Sequence, residues 1–262
     1  MLNTCNTPEN AGRQRKNMRK VFLVTISVGF LAQAQSNNST SGDRITPAHV
    51  WSAIQPYLIS AGDRFYKPGN ERISGTGTIS RGDPGKVVAT SVQVTWEFPG
   101  KIRLEDGGVS STFNPSAPNP SGKSSSVSDT LETLVEDTFD GFLSAHAGDS
   151  STRVIGKGFQ WQGHPGQFVD IVQVTSQSKV KGNSILTNKE YRFDSRTKLL
   201  VMVSYLSATK AQVEIIFSNW QNVQGQMVPK SIIRNENGVM VFALNLTTLT
   251  VGAKINDGKF DN

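Results

Sequence analysis

The chain has 262 residues, 36% hydrophobic and 18% charged, with a formal net charge of +6. That length allows one large or two small domains, and the abundance of Gly, Ser, Thr, Asn and Val suits a soluble β-rich protein. Residues 1–34 hold Arg13, Arg15, Lys16, Arg19 and Lys20 against Glu9, which places +4 there and leaves +2 on the rest. No concentrated basic face remains for phosphates, which argues against nucleic acid as a partner.

Met18-Arg19-Lys20 leads into VFLVTISVGFLAQAQ, a short apolar run ending in Ala32-Gln33-Ala34. A basic start, an apolar core and an A-x-A triplet predict a secretory signal peptide over residues 1–34, with Met18 as an alternative start. The run is too short for a transmembrane span, and none is expected. Cys5, the single cysteine, precedes this core, and position 35 is Gln, so the exported chain is expected to carry no disulfide or lipid anchor. Export places the protein in the periplasm or outside the cell.

Residues 35–44 form a polar linker, and residues 45–254 a single predicted domain with a tail at 255–262. Thr46-Pro47 reads as a helix start, followed at helical spacing by Val50, Ile54, Tyr57, Leu58 and Ala61, with Pro56 inside the pattern. From residue 72 the period changes to two. Ile73, Gly75, Gly77 and Ile79 share one strand face, and Val92, Val94, Trp96 and Phe98 share the next, predicting a half-buried strand. Pro99-Gly100 turns the chain into KIRLED, where Ile102 and Leu104 continue the apolar face.

Residues 107–127 read as one long loop. A helix follows, capped by Ser128 or Asp129 and ending near Gly148, with Leu131, Leu134, Val135, Phe139, Phe142 and Leu143 as its apolar stripe. Glu136 and Asp137 fall on its polar side and are expected to face solvent. The rest alternates between strands, at about 152–161, 167–175, 187–193, 198–206, 211–220, 226–234 and 239–251, and turns. In YRFDSRTKLLVMVSY, Asp194, Ser195 and Arg196 form a hairpin turn, and truncating Ser195 or Arg196 to alanine should cost only a few tenths of a kcal/mol. About ten strands joined by short turns predict an antiparallel meander curved around helices. In VMVFALNL the period places Met240, Phe242, Leu244 and Leu246 on one face.

Motifs for chemistry are sparse. His49, His146 and His164 lie far apart without metal-ligand spacing, so no metal and no cofactor are expected. Arg81-Gly82-Asp83 matches an integrin-binding tripeptide on a predicted hairpin tip, where Gly and Asp are common anyway. Trp51, Trp96, Trp161 and Trp220 could form a glycan-stacking platform, although strand positions favour core packing. No nucleophile, base or carboxylate pair stands out, and no enzyme activity is expected.

YRFDSRTKLLVMVSY followed by VEIIFSNWQNVQGQMVPKSIIRNENG resembles the LolA/LolB-like periplasmic lipoprotein-carrier superfamily. The strand pair carries Phe217, Ser218, Trp220, Gly225, Val228, Pro229 and Ile232, and GTGTISR and WEFPGKIRLE fit the same scheme. The resemblance is closer to members outside the dedicated lipoprotein chaperones, whose connections at 107–127 are shorter. It implies an incomplete antiparallel barrel of about ten or eleven strands with two or three helices on its concave face. It also implies an apolar cavity for lipid or lipoprotein acyl chains, in a monomer that also meets envelope proteins. The large apolar groups expected to line that cavity are Trp96, Phe98, Leu104, Phe139, Phe142, Met240, Phe242 and Leu244. The rival expectation is an envelope structural or adhesion module with a fully packed core, binding protein or glycan.

Overall fold

The two-residue alternation of the sequence becomes strand from Arg72 to Phe113 and again from Ser151 to Gly252. A computed structural model describes residues 54–57, 59–60, 69, 71–82, 87–98, 100–114, 125–138, 142, 151–180, 183–207, 209–255, 258 and 260. All of them fall within one compact unit, Arg44–Asn262. The predicted signal peptide, the linker, Phe139, Leu143, His49, His146 and Trp51 lie outside the described residues.

The strands are β1 (Arg72–Arg81), β2 (Val88–Glu97), β3 (Lys101–Asp106), β4 (Val109–Phe113), β5 (Ser151–Gln160), β6 (Phe168–Val180), β7 (Asn183–Asp194), β8 (Leu200–Leu206), β9 (Gln212–Val223), β10 (Gln226–Glu236) and β11 (Val239–Gly252). A helix, α1 (Ser125–Glu136), stands between β4 and β5. The strands form one antiparallel sheet in the order β4-β3-β2-β1-β11-β10-β9-β8-β7-β6-β5, curved and not closed into a barrel. The fold is therefore two meanders. The first runs outward from β1 to the β4 edge. The chain then crosses through α1 to the opposite edge and returns strand by strand until β11 pairs with β1.

Turn chemistry follows the sequence. Gln224-Gly225 and Asn237-Gly238 take positive φ at both residues, the two-residue hairpin geometry that matches strand twist. Gly107-Gly108 does the same and starts β4, which corrects the expectation of one loop over 107–127. The segment VSSTF escaped notice because it has no alternation of large apolar groups.

Partnered residues on neighbouring strands share a face. The inner face carries Val94, Trp96, Ile102, Leu104, Leu244, Ile232 and Phe217, all buried. On the same face runs a row of Phe242, Arg234, Ile215, Val203, Tyr191 and Val172. Helical segments pack here. Leu131, Leu134 and Val135 of α1 are buried, as are Ile54 and Tyr57 of the helical residues 54–57. The rings of Tyr57 and Phe142 lie 4.9 and 5.2 Å from Phe193. The helix begins at Ser125, earlier than the expected caps Ser128 and Asp129.

Two departures from simple alternation have local causes. A bulge between Arg234 and Asn235 shifts the β10–β11 register, so that Phe242 pairs with Arg234 but Met240 pairs with Asn235. Arg234 and Asn235 are consecutive and point opposite ways. Met240 therefore leaves the face of Phe242, Leu244 and Leu246, contrary to the strict period. A second bulge, between Thr76 and Gly77, brings the β11 backbone so close that a Cβ at Gly77 would lie 2.0 Å from the Asn245 carbonyl oxygen. Glycine is required there by the neighbouring backbone.

The end of β2 is not half-buried as expected. Thr95 and Glu97 on its outer side are buried as well, as is Arg72 of β1, which pairs with Glu97. Phe260, itself buried, lies under the cations of Arg72 and Lys101 at 5.9 and 5.8 Å, and its carbonyl accepts a hydrogen bond from Asn114. Arg81 belongs to β1 and pairs with Asp106, so it is not displayed on a hairpin tip for a partner.

Candidate functional site

Pro229 marks where the sheet parts. Within the sheet, Gln226 to Pro229 of β10 pair with β9, while β10 and β11 first pair at Ser231 and Asn245. Beyond that point β11 stays with β1. Proline lacks an N–H, and it is tolerated here because this part of β10 has no β11 neighbour to receive one. Between the separating strands lies an apolar cleft lined by Ile73, Trp96, Phe98, Thr138, Val228, Pro229 and Ile232. Its interior is about 20 Å³, within about 330 Å³ that includes the open mouth.

The end of α1 roofs this cleft. Trp96 donates its indole N–H to the Leu134 carbonyl at 3.2 Å. Thr138 turns its hydroxyl back to the carbonyls of Leu134 and Val135 at 2.9 and 3.0 Å, which satisfies two acceptors at the helix end. Asp137 then fixes the roof to the sheet. It is 3% exposed, and its Oδ1 receives Lys189 Nζ at 2.6 Å. Its Oδ2 accepts from Tyr205 at 2.8 Å and has Arg234 at 3.9 Å. Arg234 also bonds Thr133 of the helix and Glu236 of its own strand. This overturns the solvent-facing expectation for Asp137, although Glu136 beside it is exposed. A carboxylate one residue past a helix end looks solvated in sequence. Only the crossover of α1 over β7, β8 and β10 puts cations beneath it.

Electrostatics follow from this packing. Burial pulls the Lys189 ammonium down, but the Asp137 charge outweighs it, and the lysine titrates above its ordinary range. Burial pushes the Tyr205 phenol up, and the Asp137 charge adds to the rise. Lys189 and Tyr205 therefore hold their protons throughout physiological pH, and the arrangement serves as a clasp between α1 and the sheet.

A second carboxylate lies at the other end of β7. Asp170 of β6, 2% exposed, accepts from Gly158 N at 2.9 Å and Ser195 Oγ at 2.8 Å on Oδ1. Its Oδ2 accepts from Tyr57 at 2.9 Å and from Lys198. Burial raises its pKa, but the four hydrogen bonds outweigh that and bring it down to about 2. Asp194, Ser195 and Arg196 do form the predicted turn, with Asp194 Oδ1 accepting from Arg196 N and from Thr197 N and Oγ1. Ser195, however, is tied to a buried carboxylate. A carboxylate of such low basicity does not deprotonate a serine, so this group joins the 54–57 helical turn to the hairpin and does not activate a nucleophile.

Of the residues expected to line the cavity, Trp96 and Phe98 border the cleft. Leu104, Phe142, Phe242 and Leu244 are in the packed core at 0–1% exposure, Met240 has left the face, and Phe139 is not described. Sequence reasoning missed Ile73, Val228, Pro229, Ile232 and Thr138. The proline in a strand was the available signal, since it marks local loss of pairing. Among the described residues no three His, Cys, Asp or Glu side chains converge as metal ligands, and no described helix is long and apolar enough to cross a membrane.

These features define an open antiparallel half-barrel with helical segments on its inner face. The same fold occurs in a DUF1329 family protein from Desulfovibrio piger, 11% identical with a TM-score of 0.52 over 80% of this chain and 96% of that one. It occurs again in a domain assigned to outer membrane lipoprotein sorting from Vibrio parahaemolyticus, also 11% identical at 0.52, over 80% and 95% of the two chains. A LolA superfamily protein from Nitrosomonas europaea is 14% identical with a TM-score of 0.49, over 80% and 96%. No family model and no curated protein matches the sequence. The likeness to the DUF1329 protein and to the lipoprotein-sorting domain holds at the level of the fold.

Proposed function

We propose that the protein is an exported, non-catalytic carrier that takes up an acyl chain of a lipid or lipoprotein between the inner sheet face and α1. The observation that carries this reading is the apolar cleft where β10 and β11 part, roofed by a helix end held through a few polar contacts. Acyl chains need only dispersion contact and exclusion from water, worth about 0.8 kcal/mol per buried CH₂. The fully engaged carboxylates of Asp137 and Asp170 support a role without catalysis. The basic N-terminal segment and the lipoprotein-sorting assignment of the Vibrio domain support the periplasm as its location, and a monomer is the form proposed.

At about 20 Å³ the interior holds roughly one water, and the carrier reading takes this conformation as the closed one. Loading requires the end of α1 to lift from Trp96 and from the Asp137 clasp, widening the cleft to the several hundred Å³ typical of ligand pockets. The same small volume favours the second reading, an envelope structural module with a filled core.

Mass spectrometry of protein purified from its native envelope, paired with displacement of a fluorescent fatty acid, separates the two. A carrier co-purifies with lipid and loses displacement when Val228→Trp fills the cleft. Absence of both lipid and probe binding in a folded protein establishes the packed module.

A further inference from the structure

The outer face of the sheet carries a groove unrelated to the acyl site. Ile171, Arg192, Met202 and Ile216 form one row across β6, β7, β8 and β9. The β5–β6 hairpin walls this row, giving a hollow of about 420 Å³ to which Trp161, His164 and Glu214 contribute. The hairpin loop is locked by three backbone bonds. Trp161 N donates to Gln167 O at 2.8 Å, His164 N to Trp161 O at 3.0 Å and Gln167 N to His164 O at 3.1 Å. That frame stacks the Trp161 and His164 rings 3.7 Å apart at 16°, outside the core. Phe159, 54% exposed, is steered by a bulge, and its ring covers Gly156 so closely that a Cβ there would lie 2.0 Å from it.

We propose that this groove binds a neutral saccharide, with a pyranose ring placed against the Trp161–His164 stack. A pyranose offers an apolar C–H face to an aromatic ring and a rim of hydroxyls to planar polar groups. The groove supplies both, with Gln160, Gln162, Arg192 and Glu214 around an apolar strip. Arg192 is already paired with Glu190 at 3.2 Å and Glu214 adds a carboxylate, a set that disfavours an anionic ligand and offers hydrogen bonds to hydroxyls. An acyl chain would desolvate the Arg192 and Glu214 charges without replacing their hydrogen bonds. A peptide added as a strand needs free main-chain groups, whereas β6 to β9 are paired on both sides. The preformed loop lowers the ordering cost of binding.

The test is a calorimetric titration of the full chain with maltotriose, cellotriose and chitotriose, and with a short extended peptide as control. At least one saccharide is expected to bind with a Kd of about 1 mM or tighter, and Trp161→Ala to weaken it by about tenfold or more. Gly156→Ala, which displaces Phe159 without touching ligand, should weaken it severalfold, and Val228→Trp should leave it unchanged. Should Trp161→Ala fail to fold, His164→Ala and Gly156→Ala carry the same comparison. The proposal is overturned if none of the three saccharides binds, if these variants bind as the wild type does, or if the peptide binds the groove in place of the saccharides.

Discussion

Asp137→Ala tests the clasp most directly. The substitution leaves Lys189, with 17% of its side chain exposed, under α1 without its counter-ion, and Tyr205 without its acceptor. At 2.6 Å and an effective dielectric of about 20, the gross attraction between the two charges is about 6 kcal/mol. Desolvation offsets much of this in the intact pair, but removing one partner exposes the cost of the other, so the expected loss is about 3–5 kcal/mol. Replacing both partners by apolar groups, as Asp137→Leu with Lys189→Met, should cost less than Asp137→Ala alone, because no lysine charge is left unpaired and Arg234 keeps Glu236. Urea titration of the three proteins gives the numbers. The pH response supplies an independent sign. In the wild type the lysine titrates above its unfolded value, so its contribution is complete below about pH 10 and lost as pH rises further. In Asp137→Ala burial dominates and lowers the lysine, so stability should instead increase as pH rises toward the ordinary lysine pKa of about 10.4. A loss under about 1 kcal/mol, or a double variant worse than the single one, would refute the clasp.

Asp170 makes a prediction of opposite sign. Its folded pKa near 2 lies below the ordinary aspartate value, so its contribution is present above about pH 4 and lost as pH falls toward 2. The stake is about 2 kcal/mol, and thermal melts from pH 5 to 2 should show a shallower acid slope for Asp170→Asn. Ser195→Ala removes a hydrogen bond to that buried carboxylate and is expected to cost about 1.5–3 kcal/mol, against a few tenths for exposed Arg196→Ala; equal melts for the two would contradict the structure. Gly77→Ala forces a Cβ against backbone that has no rotamer to yield, and should lower the denaturation midpoint by the equivalent of about 3 kcal/mol. N-terminal sequencing of the exported protein should begin at Gln35, and retention of Met18 would overturn the localisation.

Much of the sheet was legible in the sequence because strand and turn signals are local. The alternation of Val92, Val94, Trp96 and Phe98 specifies a pleated surface with one oily side, and Asn237-Gly238 specifies a hairpin whatever surrounds it. Neighbouring strands in the second meander pair simply because short turns leave them no alternative. The stripe of Leu131, Leu134 and Val135 likewise announced a helix that must cover something apolar.

What the sequence by itself could not determine is anything that depends on residues far apart in the chain. Pairing of β11 with β1 joins the two meanders across the length of the chain; the bulge in that pair made Gly77 obligatory, and the bulge between β10 and β11 sent Met240 to the other face. Asp137 reads as solvated and is buried, because the crossover of α1 lays it over Lys189, Tyr205 and Arg234, 52, 68 and 97 residues later. Ser195 reads as a plain turn residue and is anchored, because Asp170 lies beneath it across the sheet. Periodicity reports which side of an element is apolar. Which charge meets which, and where two strands part to leave a cleft, is decided by tertiary packing, since those energies exist only once distant elements have met.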